Sequence, residues 1–115
     1  MRQIEKVHGE NASSFLSSPS SLILDPGYGF SKNVEENYLW MRNLSALIAE
    51  FREYPMLVGI SRKSMIFRLL GTDPDHSLNG TTVLNTFSLL AGAHILHVHD
   101  VPEAIECVRI VSKLK

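Results

Sequence analysis

The feature that most restricts how this chain can fold is a repeated order. A short apolar run, a polar turn and an amphipathic helix follow one another three times from Ser21 onward. Leu22-Ile23-Leu24 is the first run. Asp25-Pro26-Gly27 ends it, because Pro lacks the N–H of a strand ladder and Gly accepts φ > 0. The next helix is read from Val34 to Glu53, with Met41, Leu44, Ile48 and Phe51 on one core-facing stripe. Pro55 stops it, and Met56 to Ile60 form the second run. Ser61 is read as the cap of a short helix that reaches Leu70 and closes at Gly71. Thr72 to Ser77 is turn-rich, and Asn79 to Ala91 reads as a helix ended by Gly92. His94 to Val98 is the third run. Asp100-Val101-Pro102-Glu103 then has cap and first-turn chemistry for a last helix, lined on one face by Ala104, Ile105, Val108 and Val111.

Strands that are apolar on both faces and alternate with helices pair in parallel through right-handed crossovers. The expected class is therefore α/β, built from three β-α units. A chain of 115 residues is one domain at most. It is also too short for a complete (β/α)₈ barrel, which takes about 250 residues. Six of the nine residues from Ser13 to Ser21 are serine, so residues 1–21 are read as a flexible segment and 22–115 as the domain. Three units cannot close a barrel, which predicts that Ile23, Val58 and Ile95 are short of packing partners.

Charge and composition remove other classes. Eleven Lys and Arg against twelve Asp and Glu leave a net charge of −1, so a nucleic-acid partner has no bulk electrostatic support. A single cysteine forms no internal disulfide and no Cys-rich metal site. No apolar stretch approaches the ~20 residues that span a bilayer. The start, Met1 to Lys6, has no apolar core of the secretory kind. The expectation is a cytoplasmic protein with neither nucleic acid nor membrane as partner.

In a parallel α/β layout, groups just beyond the strand ends gather at one rim, where ligands bind. Here the three runs deliver Asp25, then Ser61-Arg62-Lys63-Ser64, then His97, His99 and Asp100. Each also has a plain structural reading. An Asp before Pro-Gly caps its own turn. Arg and Lys at a helix start oppose the dipole, so they are solvated or serve a ligand. His97 and His99, two apart on a strand, share a face but lack the third partner of a zinc site. Cys107 reads as a small buried hydrophobe rather than a nucleophile.

Three segments carry a resemblance. Asp25-Pro26-Gly27-Tyr28-Gly29-Phe30, with Lys32-Asn33 and Glu36-Asn37-Tyr38, resembles the D-P-G-[FY]-G-F-x-K…N-Y segment of dihydropteroate synthases. Val58 to Ile66 resembles that family's G-x-S-R-K-S segment, and Gly92 to Val101 its G-A-x-I-x-R-V-H-D-V segment. The resemblance implies the sixth to eighth strands of a TIM (β/α)₈ barrel, a partial barrel of three C-terminal β-α units with parallel strands.

It also implies a reaction that joins p-aminobenzoate to 7,8-dihydropterin-6-ylmethyl diphosphate, in folate biosynthesis, with Mg²⁺ present and sulfonamides as inhibitors. By the same resemblance Asp25, Gly59, Lys63 and His97 face the pterin, and Lys63 lies nearest the bond that breaks. Phe30 and Ser64 face p-aminobenzoate, and His97 and His99 hold diphosphate. The metal's protein ligand falls in the family's earlier strands, which this sequence does not resemble.

His97 stands where the family has arginine. An ordinary imidazole is charged only below about pH 6.5, so diphosphate loses a permanent positive partner. The isolated chain is expected to be inactive, and to act as a homodimer or with a complementing N-terminal half. The alternatives are a non-catalytic remnant that serves as a binding module, and a methyltetrahydrofolate-type pterin-binding methyltransferase domain.

Overall fold

The computed structural model describes residues 22–29 and 33–115. The flexible segment expected over 1–21 and the site residue Phe30 lie outside them. Helix α1 spans Val34–Arg42 and starts at a reciprocal cap. Asn33 Oδ1 accepts from the Glu36 amide at 2.8 Å, and Glu36 Oε1 accepts from the Asn33 amide at 3.2 Å. The single helix expected from Val34 to Glu53 is instead two. Asn43 sits between α1 and α2 (Leu44–Glu50), and its Nδ2 donates to Leu39 O at 2.8 Å. That carbonyl also accepts from the Asn43 amide at 3.2 Å, so side chain and backbone share it where the helix breaks. The second piece stops at Glu50, short of Pro55, with Phe51 as its C-cap.

The strands are shorter than their apolar runs. β1 is Leu57–Val58 and β2 is Ile95–Leu96, paired in parallel with Leu57 against Ile95 and Val58 against Leu96. Leu24 joins them through a single parallel bridge to Met56, with Leu24 N donating to Pro55 O and Leu57 N to Leu24 O. Thus the direction and order of all three runs follow the sequence reading, while the sheet itself has two strands. Backbone beyond Val58 and Leu96 leaves the ladder at once to form the rim loops.

Between the strands lie α3 (Ser64–Leu70), a 3₁₀ turn (Pro74–His76) and α4 (Leu78–Ala91); α5 (Val101–Leu114) follows β2. Gly71 and Gly92 close α3 and α4 in the left-handed region, at φ 68° and 112°. Ser61 is not the cap of α3: Lys63 holds that position, and Ser61 is buried with its hydroxyl turned to the third strand's loop.

The core joins Leu24, Met41, Leu44, Met56, Val58, Ile60, Met65 and Ile66, with Ile48 and Phe51 packed at its edge, as the stripe on the first helix predicts. Val58 is fully buried, contrary to expectation; Ile95 remains 37% exposed. Helix α5 buries Ala104, Cys107 and Val111, whereas Ile105 and Val108 are 52% and 48% exposed. The helix has two apolar faces, and α4 covers one of them. Among the described residues no helix is long and apolar enough to cross a membrane.

Candidate functional site

The turn after Leu24 is built by its own side chains. Asp25 Oδ1 accepts from the Gly27 amide at 2.8 Å, so the carboxylate does the turn-forming work its Pro-Gly context implies. Gly27 and Gly29 both take positive φ, 74° and 90°. Buried Asn37 of α1 then pins this loop, accepting from the Gly29 amide at 2.9 Å and donating to Asn33 O at 3.0 Å. Tyr28 is buried, and its hydroxyl has no hydrogen-bond partner among the described residues. Burial, with Asp25 nearby, raises that hydroxyl's pKa well above its usual range.

Lys63 reaches across to the same turn. Its Nζ donates to Tyr28 O at 2.6 Å, and a Cβ built on Gly29 would lie 3.3 Å from Lys63 Cδ. Tyr28, Gly29, Lys63 and Ser64 line a cavity of about 300 Å³. This brings the first and second rim segments together.

The second and third segments meet elsewhere along the rim. A Cβ on Gly59 would stand 3.5 Å from His97 Cβ and 3.7 Å from its Nδ1. That is ordinary contact at an unexceptional backbone angle, so the chain's own packing does not demand glycine at 59. The His97 amide donates to Val58 O at 2.9 Å, and the His99 amide to Ser61 Oγ at 3.2 Å. Both histidines are exposed.

Arg62 and Asp100 are engaged with each other. Arg62 Nε and Nη2 meet the two Asp100 oxygens at 3.0 Å each, and Nη1 donates to Pro74 O at 2.7 Å. Asp100 occupies the N-cap position of α5, with Pro102 and Glu103 in the first turn as read from sequence, but its side chain makes no capping bond there. The hydrogen bond to Arg62 lowers the Asp100 carboxyl below the usual carboxylate range and raises the guanidinium. Sequence reasoning placed Arg62 in the rim set but gave it no partner, and it assigned no site-building role to Asn37 or Thr81. A basic residue that must adopt positive φ leaves no signature in a one-dimensional pattern.

A match to the pterin binding enzyme family covers residues 1–99. The chain belongs to that family. Dihydropteroate synthase of Escherichia coli (strain K12) is 47% identical over 93 residues, which are 79% of this chain and 32% of the relative. That of Synechocystis is 35% identical over 115 residues, 99% of this chain and 39% of the relative. The chain therefore spans about a third of the length of these pterin binding enzymes. A solved Yersinia pestis enzyme, bound to a pterine-sulfa conjugate, superposes with a TM-score of 0.84 at 37% identity, over 98% of this chain and 44% of that one. The Thermus thermophilus dihydropteroate synthase in complex with 4-aminobenzoate gives 0.78 at 33% identity, over 96% of this chain and 42% of that one.

Among the described residues no group of three or more His, Cys, Asp or Glu side chains could hold a metal ion.

Proposed function

We propose that the chain is the C-terminal portion of a dihydropteroate synthase, three consecutive β-α units of a (β/α)₈ barrel. The observation that carries this reading is the 47% identity to the Escherichia coli enzyme. It is supported by the meeting of Lys63 and Ser64 with the Asp25–Gly29 turn around one cavity. In this reading Asp25 accepts from the amino-pyrimidine edge of the dihydropterin through an oxygen not held by the Gly27 amide. Lys63, already placed to donate, moves from Tyr28 O to the pterin ring near the bond that breaks. Gly59 leaves room for the pterin plane beside His97. Ser64 and Phe30 receive p-aminobenzoate. His97 and His99 donate to the departing diphosphate, most strongly when protonated, since charge placed where charge develops lowers the barrier. The site is cytoplasmic in this reading, and a complementing segment brings the remaining substrate contacts.

The test is a titration of the purified chain with a dihydropterin diphosphate analogue, followed by turnover. Binding without turnover is expected, because holding both reactants in geometry contributes up to ~7–11 kcal/mol and half of the holding groups lie in the rest of the barrel. With the remaining barrel supplied, Lys63→Ala abolishes turnover and Cys107→Ala leaves it nearly unchanged. A more damaging cysteine change would overturn the site assignment.

A further inference from the structure

Arg62 is the one non-glycine residue with positive φ, 53°, among those described. A left-handed conformation is unfavourable for an arginine and persists only where surrounding contacts over-determine it. Three such contacts are present. The Arg62 amide donates to the buried Thr81 hydroxyl at 3.0 Å, and that hydroxyl donates to Ser77 O at 2.8 Å. The guanidinium makes its two-point pairing with Asp100, and its third arm reaches Pro74 O. Both side chains of the pair are largely covered, at 22% and 23% exposure. The guanidinium is thus committed within the protein rather than offered to a ligand.

We infer that Arg62 is a positioning residue, whose pairing with Asp100 holds Lys63-Ser64 and His99 in one fixed arrangement. The inference rests on the proposed function, and it adds a role for a residue that touches no substrate. Lys63 follows Arg62 directly, and His99 precedes Asp100. The pair therefore locks the backbone on both sides of the rim, and the bond from the His99 amide to Ser61 Oγ closes the same link one residue earlier in each loop. Two parallel N–H···O bonds fix orientation as well as distance, which a single contact would not do.

Two measurements on the full chain test this. Backbone ¹⁵N relaxation at Lys63, Ser64 and His99 reports loop order without any ligand, and titration with inorganic diphosphate reports the anion site. Arg62→Gly removes the guanidinium and releases the left-handed strain, so the melting temperature stays within a few degrees of the parent. Asp100→Asn breaks the same pairing while leaving Arg62 in place. Both variants are expected to show greater motion at the three residues, and diphosphate binding weaker by roughly tenfold or more. Unchanged relaxation in both variants overturns the inference. So does weakened binding in Arg62→Gly alone, which would mean that the guanidinium meets the anion directly. If the parent chain does not bind diphosphate, the proposed function fails at this site, and the relaxation result still decides the positioning role.

Discussion

Arg62 and Asp100 lie 38 residues apart in sequence and face each other through two bonds of 3.0 Å, joining the loop after β1 to the loop before α5. This pairing has a pH signature. The Asp100 carboxyl is held below its usual range by the Arg62 hydrogen bond, and Asp73 is held below by its bond to His76. A carboxyl lowered in the folded state contributes stability above its unfolded pKa of about 3.9, and that contribution disappears as pH falls through the folded value. Urea midpoints measured between pH ~5 and ~2 should fall more steeply for the parent than for Asp100→Asn. Parallel slopes would show that ionisation of Asp100 beside Arg62 adds nothing to stability.

Gly80 predicts a packing effect. A Cβ there would stand 2.5 Å from Ile66 Cγ2 and 3.1 Å from Leu70 Cδ1, so the close approach of α3 to α4 depends on its absence. Ile66 is buried and β-branched, and cannot swing away freely. An alanine in a helix interior would ordinarily stabilise by about 1 kcal/mol over glycine. Here overpacking, which costs ~1–3 kcal/mol, reverses the sign. Gly80→Ala should melt at lower temperature than the parent; an equal or higher melting temperature would mean that α3 shifts at no cost.

His94 opens β2 and uses its ring as a backbone acceptor: the Met56 amide donates to Nδ1 at 2.9 Å. That bond requires Nδ1 to carry no proton, so the ring is expected in the Nε2–H tautomer. Ring ¹⁵N shifts at neutral pH read this directly. His94→Asn can present an oxygen in place of Nδ1, whereas His94→Leu leaves the Met56 amide without its acceptor. The leucine variant should be the less stable by about 1 kcal/mol, the net worth of one such bond. A reversed order would remove the role assigned to the ring.

Much of this architecture was legible in the residue pattern. The order of runs and helices, the left-handed glycines at 71 and 92 and the core stripe from Met41 to Phe51 are local properties that spacing alone expresses. The break at Asn43 was not legible, because Asn is only mildly unfavourable within a helix and its side-chain bond to Leu39 O is visible only in the structure. The face of α5 was misread for a related reason. Ile105 and Val108 are as apolar as Ala104 and Val111, and only contact with α4 decides which side is buried. In the site, Lys63 could be named from sequence, but its neighbour Arg62 could not be assigned a role until the pairing with Asp100 was visible.

Exposed apolar surface predicts self-association of the isolated chain. Ile95 on β2, Val101, Ile105 and Val108 on α5, and Phe87 on α4 are each more than a third exposed. Leu96, Val98, Val101, Ile105 and Val108 line a continuous groove between β2 and α5. Among the described residues β2 pairs on one side alone, so its other edge also presents backbone donors and acceptors. Covering apolar surface gains about 25 cal/mol per Å², which favours association of copies over leaving this face in water. Size-exclusion chromatography with light scattering should therefore give a mass above 12.9 kDa that rises with loading. Replacing Ile105 and Val108 together with lysine should shift the chain toward monomer without lowering its melting temperature, since neither side chain is part of the core. A sharp 12.9 kDa peak from the parent, with cooperative thermal unfolding, would show that the fold closes over this groove by itself.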